Sequence, residues 1–213
     1  MAPTELISQL QDADLIPNQI PQTLAQTLKG PVKVHYAGTT ASLGEFVERE
    51  QTLTEPDLEF ADADPSATYT IIMSDPDLFV KNDPVSKHVR HWIRSSASFD
   101  ETSKRMMANV NPPVLNDYVP CSPALGTGKH RYIFFVAKEP AGYVPKKDAK
   151  WGPLDKPNSD LKDRLAFLTA DYILEEGLTL EGVGWMEVAS TAASTKDNLV
   201  LSAKAIKNKI TGQ

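Results

Sequence analysis

The sequence predicts a mainly β fold, and three features support this. Residues 131–137 form an apolar and aromatic run between charged residues, which is typical of a strand buried on both faces. Residues 67–74 form a β-branched run that is expected to be another central strand. Helical spacing occurs only near the start and in the last quarter of the chain. We therefore expect one β-rich domain over residues 1–213 with helices at its periphery.

The first 22 residues are predicted to be a helical extension before the β body. Apolar side chains recur on one helical face of Thr4–Asp12, and Thr4 is the candidate N-cap. Two prolines, Pro17 and Pro21, close the segment.

Further strands are expected between the extension and the last quarter of the chain. Gly38–Gly44 is predicted to be a turn, because it is rich in turn residues. His91 is expected to lie on the opposite face of its strand from Arg90 and Trp92. The remaining strand candidates are Val32–Tyr36, Pro56–Phe60, Lys87–Arg94 and Gly184–Ala189.

Two helices are predicted late in the chain. Leu161–Glu176 has leucines and a tyrosine at helical spacing, and Gly177 suits its end. Ser194–Ile210 begins with a capping-box pattern and carries an apolar stripe, so residues 191–213 are expected to be a C-terminal helix. Pro140–Pro157 contains four prolines and two glycines and is predicted to be a long surface loop.

Composition excludes several classes of function. The net charge is −6 and no Lys/Arg face stands out, which argues against nucleic acid and against adsorption to an anionic membrane. No apolar run approaches the roughly 20 residues needed to span a bilayer, and the N-terminus lacks the features of a signal peptide. The single cysteine, Cys121, fits a reducing compartment. We expect a cytoplasmic protein.

Four polar residues stand at predicted strand ends and could converge: Asp75, Asp77, His91 and His130. A carboxylate beside an imidazole favours the protonated ring. Two such histidines facing the backbone N–H groups of residues 126–128 would attract a small anion. The alternative is that the histidines only tie loops together.

Three motifs resemble those of the phosphatidylethanolamine-binding protein (PEBP) family. They are LGTGKHRYIFFV at residues 125–136, IIMSDPD at residues 71–77, and His91-Trp92-Ile93. The resemblance implies a large antiparallel sheet packed on a smaller one, with a pocket at one end. It also implies that this pocket accepts a phosphate or a phospholipid head group. The implied ligand-binding residues are Asp75, Asp77, His91, Ser122, Pro123, Gly126, His130 and Tyr132. Arg131 is expected to be a structural ion-pair residue pointing the other way.

The chain departs from the family pattern beside this pocket. Leu78-Phe79 stands where the family has Ala-Pro, and the following Ser and Arg are also missing. Together with Leu125, these changes make the rim more apolar. A small carboxylate, or an anionic organic molecule with an apolar body, therefore becomes a candidate ligand.

Cys121 and metal binding are weaker candidates. A thiolate near an imidazolium could act as a nucleophile, but a free loop thiol without a role is favoured. Cys121, His91 and His130 match no compact zinc pattern, so no metal and no cofactor are expected.

Two functions compete. The first is a binding and regulatory protein, similar to the fungal carboxypeptidase Y inhibitor branch, that modulates a protease, a kinase or a small-GTPase regulator. The second is an enzyme or accessory factor of maleidride-type secondary-metabolite biosynthesis. There His91 or His130 would be the base, oriented by Asp75, with the Gly126–Gly128 backbone stabilising developing charge. The first is preferred.

Overall fold

The structure, a computed structural model, describes residues 1–85, 87–107, 114–146 and 161–191. It is mainly β, as predicted. The helices are α1 (Pro3–Asp12), α2 (Gln22–Ala25), α3 (Leu161–Arg164) and α4 (Thr169–Glu175), with one 3₁₀ turn at Arg49–Thr52. The strands are β1 (Gly30–Tyr36), β2 (Thr39–Ala41), β3 (Leu43–Phe46), β4 (Asp57–Phe60), β5 (Tyr69–Asp75), β6 (Val89–Ala97), β7 (Val114–Asn116), β8 (Lys129–Lys138) and β9 (Thr179–Ala189). No helix in the described part of the chain is both long and apolar enough to cross a membrane.

The large sheet is mixed, which corrects the expectation of a wholly antiparallel one. Its strands follow the order β2-β1-β9-β8-β5-β6-β7. Strands β8, β5, β6 and β7 pair antiparallel, but β9 runs parallel to both β1 and β3. The smaller sheet is confirmed: β1 leaves β9 after Pro31 and pairs with β2 and β4 instead.

Each face of the large sheet carries its own hydrophobic core. One core receives Leu6 and Leu10 of α1 and Tyr172 of α4, together with Ile72 of β5 and alternate residues of β8. The other lies between the large and the small sheet and includes Phe60 and Trp92. Strand β8 contributes to both cores and is buried along nearly its whole length, as its composition predicted. The strand is therefore a rigid support for the residues at its two ends.

The predicted helix over Leu161–Glu176 is wrong as one element. Ala166 takes a left-handed backbone conformation (φ 57°), which ends α3. Phe167 then exchanges backbone hydrogen bonds with His88, so the chain is extended at this point before α4 begins. A tertiary pairing overrides the local helical pattern here. Gly177 (φ 68°) does follow the end of α4, as expected.

A bulge in β6 places His91 and Trp92 on the same face of the sheet. Met73 pairs with Trp92, whereas the next residue, Ser74, pairs with Arg90. The extra residue, His91, is therefore unpaired, and it reaches the same core as Trp92. The prediction that His91 lies on the opposite face from Arg90 fits this geometry, but the prediction that it lies on the opposite face from Trp92 is wrong.

Three smaller predictions also change. The N-cap of α1 is Ala2 rather than Thr4. The Gly38–Gly44 turn contains β2 and the start of β3. The predicted C-terminal helix over 191–213, with its core at 194–210, lies outside the described residues except at residue 191. The predicted loop over 140–157 is described only as far as residue 146.

Glycines on β9 allow β1 to lie close to it. A Cβ built at Gly184 would lie 2.2 Å from the backbone oxygen of Val32, which cannot move without displacing β1. A Cβ at Gly182 would lie 2.8 Å from Cγ2 of Val32 and 2.9 Å from Cε2 of Phe60, and both of these are side-chain atoms. The parallel β1–β9 pairing therefore depends most on Gly184.

We expect Gly184→Ala to destabilise the protein by about 3 kcal/mol or more, because the new methyl group overpacks against backbone. The matched change Gly182→Ala should cost less, since side chains can shift. Urea unfolding monitored by circular dichroism measures both. Equal costs, or a larger one for Gly182→Ala, would contradict this account of the strand contact.

Candidate functional site

A buried chain of hydrogen bonds joins the loop after β5 to the loop before β8. His130, which is fully buried, places Nδ1 2.8 Å from Oδ2 of Asp75 and Nε2 2.6 Å from Oγ1 of Thr127. The Thr127 hydroxyl donates its hydrogen to the Ala124 carbonyl at 2.7 Å. It must therefore accept a hydrogen from Nε2 of His130. Both ring nitrogens of His130 are donors in this arrangement, so the ring is an imidazolium.

The electrostatics agree with this assignment. Burial opposes charging of the His130 ring, but the hydrogen bond to Asp75 and the charges of Asp75 and Asp77 outweigh it. The pKa of His130 is therefore raised above its usual value. Asp75 also accepts the Asp77 backbone N–H at 2.7 Å. Asp75 and His130 thus form a buried ion pair at the end of the sheet.

His91 lies on the same face of the sheet as His130, but its ring is neutral. Its Nδ1 donates to the Val119 carbonyl at 2.9 Å, and its Nε2 accepts or donates no hydrogen bond among the described residues. Burial lowers the pKa of His91, although the charge of Asp75 and the Val119 bond partly offset this. His91 is therefore a neutral ring with an open acceptor nitrogen.

Tyr132 stands between these histidines and the preceding loop. Its ring packs edge-on against His91, with centroids 5.1 Å apart. Its hydroxyl accepts the Ser122 N–H at 3.0 Å. Burial, followed by the charge of Asp75, raises the pKa of Tyr132, so the phenol keeps its proton. In the same loop Pro123 is buried and Gly126 is exposed at a turn.

Asp77 faces away from the histidines. Its carboxylate accepts two hydrogen bonds from the Arg131 guanidinium, at 2.8 and 2.6 Å, and one from the Arg131 backbone N–H. Asn82 N–H donates to it as well, at 2.8 Å. Arg131 is the ion-pair residue that the sequence predicted, but its partner is an acid that had been expected in the pocket. Asp77 binds Arg131 and acts on the site indirectly: its N–H donates to Asp75, and its charge helps to raise the pKa of His130.

The structure thus brings together Asp75, His91, His130, Tyr132 and Ser122. Two expectations about the loop before β8 need correction. The Thr127 N–H is not available to an anion, because it donates to the Ala124 carbonyl at 3.2 Å. The Thr127 side chain, which had no predicted role, is instead the acceptor of the His130 Nε2 hydrogen.

Cys121 is fully buried, and burial raises the pKa of its thiol well above the usual value. It is a thiol rather than a thiolate near neutral pH, which makes it a poor nucleophile. Among the described residues, no three His, Cys, Asp or Glu side chains are grouped as a metal ion would require.

A third histidine, His88, was missed by the sequence analysis. It is buried beside β5, where Nδ1 lies 2.8 Å from the Thr169 hydroxyl and Nε2 hydrogen bonds with Gln19. Burial lowers the pKa of His88 to about 4. The spacing of His88 from His91 gave no signal, because residues three apart along a strand point to opposite faces of the sheet.

This geometry limits the acid/base chemistry that the site could perform. His130 already carries both protons and cannot accept another, so it is not a general base. His91, with its open Nε2, is the ring that could take a proton. It is oriented by the Val119 carbonyl rather than by Asp75.

Comparisons with known proteins agree with this fold. The family description "Phosphatidylethanolamine-binding protein" matches residues 22–180. The uncharacterized protein YLR179C of Saccharomyces cerevisiae is 25% identical over 199 residues, covering 87% of this chain and 94% of that protein. The carboxypeptidase Y inhibitor, solved in complex with its cognate proteinase, superposes with a TM-score of 0.69 at 17% identity and covers 87% of this chain and 95% of its own. A phosphatidylethanolamine-binding protein from Plasmodium vivax gives a TM-score of 0.67 at 20% identity, over 87% and 97% of the chains.

The ring protons of the four histidines should titrate separately in an NMR pH series. We expect the pKa of His130 above 6.5, those of His91 and His35 below 6.5, and that of His88 about 4. The cause is the Asp75 partner for His130 and burial for the others. Assignment by single His→Asn variants identifies each signal. A His130 ring that loses its proton below pH 6.5 would contradict the imidazolium assignment.

These shifts carry opposite consequences for stability. The contribution of His130 is complete below pH 6.5 and is lost as the pH rises through its raised folded-state pKa. As the pH is lowered, His88 takes up a proton near pH 6.5 in the unfolded state but only near pH 4 in the folded state. The free energy of unfolding should therefore fall by about 3 kcal/mol between pH 6.5 and pH 4 through His88 alone.

Proposed function

This chain belongs to the phosphatidylethanolamine-binding protein family, and we propose that it binds a small anionic group, phosphate or carboxylate, beside His91 and His130. The observation that carries the proposal is the pairing of a buried imidazolium with a neutral ring whose Nε2 is open. A site of this kind has a buried imidazolium paired with Asp75, and a nitrogen of His91 that can become a donor when an anion arrives.

Each residue has a distinct part in this proposal. The charges of His130 and Asp75 balance, and both donors of His130 are already used, so this ring contributes its field rather than a direct bond. His91 would take up a proton and donate it from Nε2 to the anion. The Tyr132 hydroxyl keeps its proton and shares it with Asp75, so it helps to hold the carboxylate in place. The bound charge is then balanced by the proton that His91 gains.

Exposed apolar side chains support a ligand with an apolar body. Phe79 is 61% exposed and Leu125 is 70% exposed, although both are large hydrophobic residues. They lie two residues from Asp77 and Thr127, on the two loops that build the site. Covering them would remove apolar surface from water. We therefore favour an alkyl or aryl anion over a bare inorganic ion.

We expect anion binding to take up about one proton at neutral pH, because His91 is neutral before binding and charged afterwards. Sulfate is the probe, since its own charge is constant over this range. Calorimetry in buffers of different ionisation enthalpy measures the proton count. His91→Asn keeps a donor for the Val119 carbonyl but removes Nε2, and should abolish the uptake and weaken binding about tenfold or more.

His35→Asn on β1 is the matched control and should change neither quantity. Alkyl sulfates with chains of increasing length, all shorter than dodecyl, should bind more tightly than sulfate. Phe79→Ser should remove that gain in affinity and leave the affinity for sulfate unchanged. Binding without proton uptake, or unchanged in His91→Asn, would overturn the site. Turnover of an anionic substrate that is lost in His91→Asn would favour the enzyme alternative.

A protease is the partner class with most support. The carboxypeptidase Y inhibitor, whose fold matches 87% of this chain, was solved in complex with its cognate proteinase. The N-terminal extension is also fixed to the body, since α1 buries Leu6 and Leu10 in the core and Arg131 binds the Ala13 carbonyl. A surface that is held in place loses less entropy when a partner binds it. We propose that the chain inhibits carboxypeptidase Y or a related protease.

We expect the purified chain to inhibit carboxypeptidase Y with a stoichiometric titration of peptide hydrolysis, and to leave a protein kinase assayed in parallel unaffected. Because His91→Asn alters only the anion site, the variant protein should inhibit carboxypeptidase Y as well as the wild type does. Inhibition of the kinase but not of the protease would contradict the proposed protease partner and would leave the anion-site proposal unaffected.

A further inference from the structure

A cavity lies at the opposite end of strands β5, β6 and β8 from the histidine site. Its volume is about 380 Å³. It opens where β5 begins and where β6 and β8 end, whereas Asp75, His91 and His130 stand at the other ends of these strands. From His130 to Lys138 the strand β8 spans about 27 Å. The cavity is lined by Asp64, Ser66, Ala67, Thr68, Ser96, Lys138, Glu139, Pro140, Ala141, Gly142 and Tyr143.

Glu139 is the unusual group in this lining. Only 7% of its surface is exposed, although it is a carboxylate. Its Oε1 accepts the Thr70 hydroxyl at 2.7 Å and the Ser96 N–H at 2.8 Å. Its Oε2 receives no hydrogen bond from any described residue. A carboxylate so buried normally has partners for both oxygens.

The charges of the lining do not balance. Lys138 is paired with Asp64 at 2.9 Å, and Asp64 also accepts the hydroxyl and N–H of Ser66. These bonds, Ser66 first, lower the pKa of Asp64, so it stays ionised. With Asp64 and Lys138 neutralising one another, Glu139 is left as one negative charge in excess.

Tyr143 adds an aromatic wall. Its hydroxyl donates to Glu176 at 2.8 Å, and Glu176 also accepts the Lys146 N–H at 3.1 Å, which fixes the loop that carries the ring. A carboxylate with an open oxygen and an aromatic ring in one cavity are the two features that recognise an organic ammonium group.

We propose that this cavity is a second ligand site, which binds a small organic cation through Glu139. The ammonium donates to Oε2 of Glu139, while its carbon body lies against Tyr143 and Pro140. An anion would meet the excess negative charge, and a neutral alcohol would lack the charge-assisted bond. The site is independent of the anion site, because different side chains at the other end of the strands form it.

Benzylamine and benzyl alcohol are a matched pair of probes, with the same ring and with or without the charge. In ¹H–¹⁵N NMR the Ser96 amide, which donates to Glu139, is the direct reporter. We expect benzylamine to shift this amide in a saturable way, and benzyl alcohol at equal concentration to leave it in place.

Two variants of neighbouring residues should act in opposite directions. Glu139→Gln keeps an acceptor for Thr70 and Ser96 but removes the charge, so benzylamine should bind about 10- to 100-fold more weakly. Lys138→Met removes the competing cation, so benzylamine should bind more tightly. His91→Asn, at the far site, should leave benzylamine binding unchanged.

Equal binding of benzyl alcohol, or full affinity in Glu139→Gln, would overturn the proposal. So would weaker binding in a folded Lys138→Met protein, or no shift of the Ser96 amide at about 10 mM benzylamine, well above a millimolar Kd. None of these results bears on sulfate binding at His91, so the two sites fail or stand separately.

Discussion

The buried ion pair between Asp77 and Arg131 is the constraint on which the rest of the structure depends. One guanidinium binds both oxygens of Asp77, the side-chain oxygen of Asn82 and the Ala13 carbonyl. It therefore fixes the start of β8, the loop after β5 and the end of the N-terminal helix together. Burial opposes ionisation of Asp77, but the hydrogen bonds and charge of Arg131 outweigh it and lower its pKa. Removing one member of such a pair costs about 3–5 kcal/mol, because the other charge stays buried alone.

The geometry of the histidine site follows from that pair. Arg131 lies between His130 and Tyr132 in the sequence of β8, so holding Arg131 on one face of the sheet directs its two neighbours to the other. The Asp77 N–H, fixed by the same contacts, donates to Asp75 and orients the carboxylate that charges His130. At this end of the sheet, one face carries the Asp77–Arg131 pair that holds the structure together, and the opposite face carries the histidines proposed to bind the ligand.

Local pattern predicted the parts of the structure that depend on local physics. Strands β5 and β8 were found because burial on both faces requires continuous apolar runs. The parallel β1–β9 contact was not, since the need for Gly184 is visible only when Val32 is beside it. The same limit applies to the break at Ala166, which exists because Phe167 pairs with His88.

The site was predicted in part for the same reason. The motifs placed Asp75, His91, His130 and Tyr132 near one another, and alternation placed Arg131 on the other face. Which acid Arg131 would bind could not be predicted from the sequence, because Asp75 and Asp77 both lie at the C-terminal end of β5, two residues apart. The role of Thr127 depends on where its hydroxyl hydrogen goes, and only the Ala124 carbonyl decides that.

The two ends of β8 carry opposite charge preferences, and the strand between them keeps these apart. At one end a protonated His130 faces an acid that it fully engages, whereas at the other end Glu139 keeps one oxygen open. Coupling between distant sites needs an element with two arrangements. Strand β8 is paired along its length with β5 and β9 and is buried on both faces, so it has no second arrangement at low cost. Ligands at the two ends should therefore bind without affecting each other.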